Sequence, residues 1–254
     1  MIRILYLGQK PIGERCFHVL LESDYSNLRV TGVVTNASAK VWWSTNDIYS
    51  LCNKRGIPVI DNAKRHESDI MQLIRKYKIN ALLSVQHNWI LPDEMLKLVG
   101  EHAYNLHLAK LPNYSGYNAF NHALLNDDKV YSVTLHRMVS KVDAGDVAFE
   151  ETFPIDPDET AYSLYTKANE AGVKLFGALI KALGEGVTLP RQAITGEGRF
   201  YARDALNLHR EIKDVSNIED VTRKARAFYF PPFEPAYFTV LGRKYYVTPN
   251  CGAF

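Results

Sequence analysis

The sequence predicts an α/β fold, a doubly wound parallel sheet with a small C-terminal helix and β-hairpin appended. Three observations carry this. Short β-branched, apolar runs alternate with helix-period segments from the first residue to about residue 107. One long amphipathic pattern follows over 159–183, with Leu164, Ala168, Ala171, Leu175, Leu179 and Leu183 on a single face. Beyond about residue 204 the pattern thins to a short helix, a proline bend and a hairpin.

Taken in order, Ile2, Ile4, Leu5 and Leu7 form a first strand that ends at Gly8, apolar on both faces as a buried parallel strand is. A helix over 12–21 turns Phe17, Leu20 and Leu21 inward. Strands are expected at 30–35, 57–60, 80–85 and 102–107, with helices over 45–55 and 68–77 between them. Thr45 or Asn46 would cap the first of these helices and Gly56 would end it. Pro92 suits the first turn of a short helix, because its missing N–H has no intrahelical partner there. Two long strands, 130–139 and 147–155, flank a loop at 140–146. The tail reads as a helix near 218–228, a bend at Pro231-Pro232, and hairpin strands 236–241 and 244–248. The expected division is a main domain over 1–205 and a subdomain over 206–254, too short to bury a large core by itself.

Composition narrows the function. Lys and Arg number 30 against 28 Asp and Glu, so the net charge is +2, a small excess for gripping nucleic acid. No apolar run is long enough to span a membrane, and the N-terminus reads as a strand rather than a signal peptide. Cys16, Cys52 and Cys251 are scattered and odd in number, which fits a reducing cytoplasm and no metal. The histidines form no zinc-type pair, and GQKPIG after the first strand is not a dinucleotide fingerprint. Trp42-Trp43 is read as covering a hydrophobic patch rather than lining a pocket.

Doubly wound sheets bind ligands where their strands end. The informative stretch is NLHLAKLPNYSGYNAFNHALL, followed by YSVTLHRMVSKVDAGD. Asn105 and His107 lie two apart on a strand and share a face. Asp143 sits in a loop that Gly145 frees to bend. A carboxamide, an imidazole and a carboxylate suit acyl transfer: the amide donates to an oxyanion, the imidazole accepts a proton, and the carboxylate orients it or holds a relay water. An amine substrate would serve as the nucleophile, so no serine or cysteine is required.

NxH, then LPxYxG, then a Thr-Leu-His strand running into DxGD together resemble the signature of the folate-dependent formyltransferases, a similarity that covers about 2–186. The resemblance implies a Rossmann-like formyltransferase domain, N10-formyl-tetrahydrofolate as formyl donor, and Asn105, His107 and Asp143 as the catalytic set. It also places the donor against two segments: Gln86, His87, Trp89, Ile90 and Leu91, and Val139, Lys141, Val142 and Asp143.

Within that family, GYNAFNHALLN and the tail look most like the nucleotide-sugar N-formyltransferases. The implied acceptor is a nucleotide-linked amino sugar, of the dTDP-4-amino-4,6-dideoxyglucose kind or a 3-amino isomer, for O-antigen synthesis in the cytoplasm. A nucleotide needs aromatic surface for its base and cations for its diphosphate. The substrate-binding residues expected are Lys10, Lys76, Tyr117, Asn118, Arg199, Tyr201, Arg203, Tyr229 and Phe230. Packing of the tail onto the main domain is the competing role for Phe230 and Phe233. No nucleic-acid or membrane partner is expected, and strands at 130–155 or the hairpin leave a homodimer open. Methionyl-tRNA and glycinamide ribonucleotide formyltransferases, or a non-catalytic folate- or nucleotide-binding protein, are the alternatives.

Overall fold

The structure is a computed structural model, and it describes residues 1–37, 47–87 and 89–249. In chain order the elements are β1 (Ile2–Gly8), α1 (Lys10–Leu21), β2 (Leu28–Thr35), α2 (Asp47–Arg55), β3 (Val59–Asp61), α3 (Glu67–Tyr77), β4 (Ala81–Val85), α4 (Asp93–Val99) and β5 (Ala103–His107). There follow β6 (Ser115–Gly116), α5 (Ala119–Leu125), β7 (Val130–Arg137), β8 (Val147–Pro154), α6 (Ala161–Glu185), β9 (Phe200–Tyr201), α7 (Ile218–Ala227), β10 (Ala236–Val240) and β11 (Arg243–Val247). The cap expected at Thr45 or Asn46 and the Trp42-Trp43 pair lie outside the described residues.

Seven strands form one sheet in the order β3-β2-β1-β4-β5-β7-β8. β1 pairs in parallel with β2 and β4, β2 with β3, and β4 with β5, while β7 runs antiparallel to β5. The chain steps outward from β1 to β3 and then resumes on the other side of β1 at β4, so the order reverses between those two strands. That reversal opens a crevice at their carboxyl ends, where Gln9 and Gln86 stand.

The packing divides the chain into two compact units, and the division does not fall at 205/206. One unit comprises Met1–Leu108, Val133–Glu151 and Ala171–Thr195; the other comprises Ala109–Ser132, Thr152–Glu170 and Gly196–Phe254. The tail therefore builds its unit with two inserted stretches from the middle of the chain, which supply the core that 206–254 alone lacks.

In the first unit, Leu5, Leu7, Val34 and Leu82 from the sheet pack with Ile70 and Ile74 of α3 and Met95 of α4, all essentially buried. Each such side chain contributes about 1.5–3 kcal/mol through its burial. Trp89 and Met138, at the roots of the loops that follow β4 and β7, rest on this same cluster.

In the second unit, β6 pairs with β9, and α5 packs against α7. The hairpin of β10 and β11 is fastened by Glu234, which takes Arg210 Nη1 at 2.9 Å, Lys244 Nζ at 2.9 Å and Tyr246 Oη at 3.1 Å. Helix α5 was not anticipated. It follows Asn118, held in a left-handed conformation, and it runs for only seven residues.

Candidate active site

Asn105 and His107 lie on β5 and project to one face. The antiparallel register sets Asn105 opposite His136 and His107 opposite Thr134. Opposed residues of an antiparallel pair share a face, so four polar side chains gather on one patch of sheet. Thr134 and His136 are fully buried there.

His136 links the site. Its Nδ1 lies 2.8 Å from the Arg137 carbonyl and donates to it. In the neutral ring the Nε2 lone pair is then left to accept from Asn105 Nδ2, 3.1 Å away. The second amide hydrogen of Asn105 and its Oδ1 remain for a ligand. Asp143 Oδ1 stands 3.6 Å from the same Nε2, beyond hydrogen-bond distance, and would attract the ring only in its protonated form. Burial lowers the proton affinity of His136; Asp143 opposes the shift and His107 adds to it, and the result is a neutral ring at neutral pH. Sequence reading singled out Asn105, His107 and Asp143 and passed over His136. The signal was Ser132, Thr134 and His136 alternating on a strand, which reads as a solvated face and is in fact buried.

Backbone geometry carries Asp143 to this point. Arg137 N–H donates to the Asp146 carbonyl at 2.8 Å and Met138 N–H to the Ala103 carbonyl at 2.8 Å, pinning both ends of the loop. Asp143 has φ 54°, in the left-handed region. Gly145 passes so close to β7 that a Cβ there would lie 2.1 Å from the Arg137 carbonyl oxygen, so only glycine fits.

The segments expected to hold the donor lie at the end of β4 and in this loop. Gln86 also has positive φ (52°), and its Oε1 accepts from Lys10 Nζ at 2.8 Å, bridging the ends of β4 and β1. Lys10 shares the left-handed geometry (φ 62°). Gln9, the residue before α1, is buried, and its Nε2 has no acceptor among the described residues. His87 Nδ1 accepts from Trp89 N–H at 3.3 Å, while burial and the nearby Arg65 push the ring's pKa down to about 3. Arg65 Cζ lies 5.0 Å from the Trp89 ring centre. Leu91 is buried in the core, whereas Ile90, Val139 and Val142 present apolar side chains to solvent and Lys141 is exposed. Exposed apolar groups beside a neutral imidazole suit a flat, uncharged heterocycle.

Of the expected substrate residues, Lys10 lies at this crevice, after β1. Lys76 is a correction. It sits exposed on the last turn of α3, which leads into the start of β4, whereas Gln86 follows that strand's other end.

The remaining residues lie in the second unit. Tyr117 is 39% exposed, with Arg203 Cζ 4.8 Å above its ring and Asn118 Nδ2 holding the Arg203 carbonyl at 3.1 Å. Arg199 Nη1 donates to Tyr201 Oη at 3.3 Å. Tyr201 is corrected as a base-stacking surface, because its ring is buried against Tyr114 at 5.6 Å and His122 at 3.9 Å. Phe230 is half-buried, with Tyr162, Tyr165 and Phe233 around its ring. The carbonyl of Tyr229 accepts from Tyr162 N–H at 3.1 Å. Among the described residues no group of three histidine, cysteine or acidic side chains could hold a metal ion. No described helix is long and apolar enough to cross a membrane.

A doubly wound sheet with an amide and two imidazoles on one strand pair, and a carboxylate brought to them by the following loop, suits a group-transfer enzyme of the acyl type. The chain belongs to the Formyl transferase family, whose profile matches residues 6–180. Methionyl-tRNA formyltransferase of Bacillus mycoides is 26% identical over 96% of this chain and 77% of its own. GDP-perosamine N-formyltransferase of Brucella melitensis is 27% identical over 79% and 76% respectively. Among solved structures, a 4-N formyltransferase from Francisella tularensis superposes with a TM-score of 0.77 at 19% identity, over 97% of this chain and 96% of that one. The N-formyltransferase of Helicobacter canadensis, in complex with folinic acid and dTDP-3-aminofucose, gives 0.73 at 21%, over 96% and 86%.

Proposed function

We propose that this formyltransferase moves a formyl group from N10-formyl-tetrahydrofolate to the amine of a nucleotide-linked amino sugar. The observation that carries the reading is the convergence of Asn105 and Asp143 on His136 Nε2, at 3.1 and 3.6 Å, with His107 on the same strand face.

The donor supplies an electrophilic formyl carbon. Asn105, oriented through His136, offers its second amide N–H to the formyl oxygen as that oxygen gains charge. His107 is the group that moves the proton released by the attacking amine toward the departing folate nitrogen, and Asp143 holds the intervening water or steadies the imidazolium. The loops bearing Gln86, His87, Trp89, Ile90 and Leu91, and Val139, Lys141 and Val142, would hold the pterin through main-chain groups and exposed apolar side chains.

Support for a nucleotide sugar comes from the Brucella GDP-perosamine enzyme and from the Helicobacter structure with its dTDP sugar. Tyr117 and Arg203 in the second unit suit a base, and Arg199 suits a phosphate. A dTDP-linked 4-amino-4,6-dideoxyglucose or its 3-amino isomer, formylated in the cytoplasm by a homodimer for O-antigen synthesis, is the form of the reading we favour. The second reading, a methionyl-tRNA formyltransferase, is favoured by an alignment that runs over 96% of this chain. Against it stands the net charge of +2.

The test is incubation with formyl-tetrahydrofolate and a panel of dTDP-, UDP- and GDP-linked amino sugars, with initiator tRNA alongside, read by mass spectrometry. One sugar should gain a single formyl group. Formylation of the tRNA alone would install the second reading, and silence throughout would favour a binding protein.

A further inference from the structure

In the second unit His122 of α5 is 4% exposed, and its Nε2 has no hydrogen-bond partner among the described residues. One face of its ring lies on Tyr201, 3.9 Å between centres, and His209 meets it edge-on at 6.2 Å. Arg199 stands at the same tyrosine, its guanidinium bonded to Tyr201 Oη. Three groups able to carry positive charge are thus linked in a chain: Arg199 at the Tyr201 hydroxyl, His122 on the face of that ring, and His209 at the edge of His122. Each of the other two lowers the proton affinity of His122, after burial itself.

No carboxylate balances them: among the described residues none of Arg199, His122 and His209 is in an ion pair. The nearest network ends elsewhere, since Asn126 Nδ2 bridges Tyr201 Oη and Tyr114 Oη, and Tyr114 spends its own proton on Asp128. Arg199 and His209 are both exposed, so an anion can reach them from solvent. A buried imidazole nitrogen without a partner lies near an exposed guanidinium and a second imidazole; in the tautomer that carries its proton on Nε2 it would need an acceptor. An unpaired buried polar atom is destabilising, a deficit that a bound oxyanion would remove. Arginine's planar fork and histidine's single N–H are the donors that phosphate oxygens take most readily.

We infer that Arg199, His209 and His122 form a binding site for a diphosphate group, carried by a nucleotide or free. The inference deepens the proposed function and rests on it where the carrier is the nucleotide sugar. His209 and His122 are then substrate-binding residues that sequence reading did not single out.

The test is calorimetric titration of the intact protein with inorganic pyrophosphate, with dTDP and with thymidine, in the wild type and in Arg199→Gln, His209→Gln and His122→Gln. Loss of any one of the three groups should weaken the phosphate ligands about tenfold and leave thymidine unchanged. His209→Gln is the informative variant, since the residue is exposed and its loss spares the fold; circular dichroism checks the buried His122→Gln. Weakening of dTDP together with pyrophosphate identifies the nucleotide as the carrier, and weakening of pyrophosphate alone identifies the free anion. Equal affinities in wild type, Arg199→Gln and His209→Gln would overturn the site, even if an amino sugar is still formylated. Weakened pyrophosphate binding with no sugar formylated would instead retain the site and remove the proposed function.

Discussion

Asn105 Nδ2 sits 3.1 Å from His136 Nε2, so an amide on one strand is aimed by an imidazole on the next. The aim holds because His136 is itself fixed, Nδ1 donating to the Arg137 carbonyl at 2.8 Å. A carboxamide free to rotate would place its N–H anywhere on a cone; this one has a single low-energy setting.

His136→Gln should therefore act on the chemical step. We expect kcat to fall about tenfold with KM for both substrates little changed, as when a transition-state contact is misaligned but binding is spared. His136→Asn, shorter by one carbon, should not restore the rate as well as Gln does. Equal loss in KM and kcat would point to general disruption instead.

Removing the groups assigned to the reaction should cost more. His107→Asn and Asp143→Asn are each expected to lower kcat by on the order of a hundredfold or more. Steady-state rates in variants with unchanged melting temperatures provide the check, and wild-type turnover in either would remove that residue from the mechanism.

Gly145→Ala offers a backbone test. Its Cβ would fall 2.1 Å from the Arg137 carbonyl oxygen, so the loop must shift and carry Asp143 with it. We expect a stability loss of about 1–3 kcal/mol by denaturant titration and a drop in kcat larger than that loss explains. Stability and rate both at wild-type level would show that the loop can relax without moving the carboxylate.

Acid should unfold the protein early. His87, His122 and His136 all have proton affinities lowered by burial, His87 to about 3 and His122 to about 4. Their unfolded counterparts take up protons near pH 6.5, so the neutral rings contribute stability that is complete above that value and is lost as pH falls toward 4. Each can remove up to about 1.4 kcal/mol per pH unit in that window. Melting temperatures between pH 7.5 and 4.5 should decline steeply below about pH 6.5. His122→Gln should flatten the decline; a curve that is level to pH 5 would contradict the buried, neutral assignment.

Much of the first unit was legible because its strands are apolar on both faces. ILYL, VVT and ALLSV read as parallel strands, and each matches one. That Asn105 and His107 share a strand face was legible from their spacing, while their selection as a pair came from the resemblance to the formyltransferases. What stayed hidden depends on contacts between distant segments. The second unit joins 109–132, 152–170 and 196–254, and nothing in local periodicity announces that association. Helix α5 escaped notice because AFNHALL is two turns long and follows a left-handed asparagine rather than a capping side chain. Tyr201 looked available from its place between two arginines, and only the fold shows Tyr114 and His122 already against its ring.

The antiparallel pairing of β5 with β7 ties reactivity to odd and even positions. Removing one residue inside β7 would bring Leu135 or its neighbours to the place His136 holds and turn the polar row to the opposite side of the sheet. Point substitutions along that strand can be graded in their effects, whereas a single-codon deletion inverts everything at once. A mutational library of this region should thus divide sharply, with tolerant exchanges on one side and uniformly dead register-shifted strands on the other.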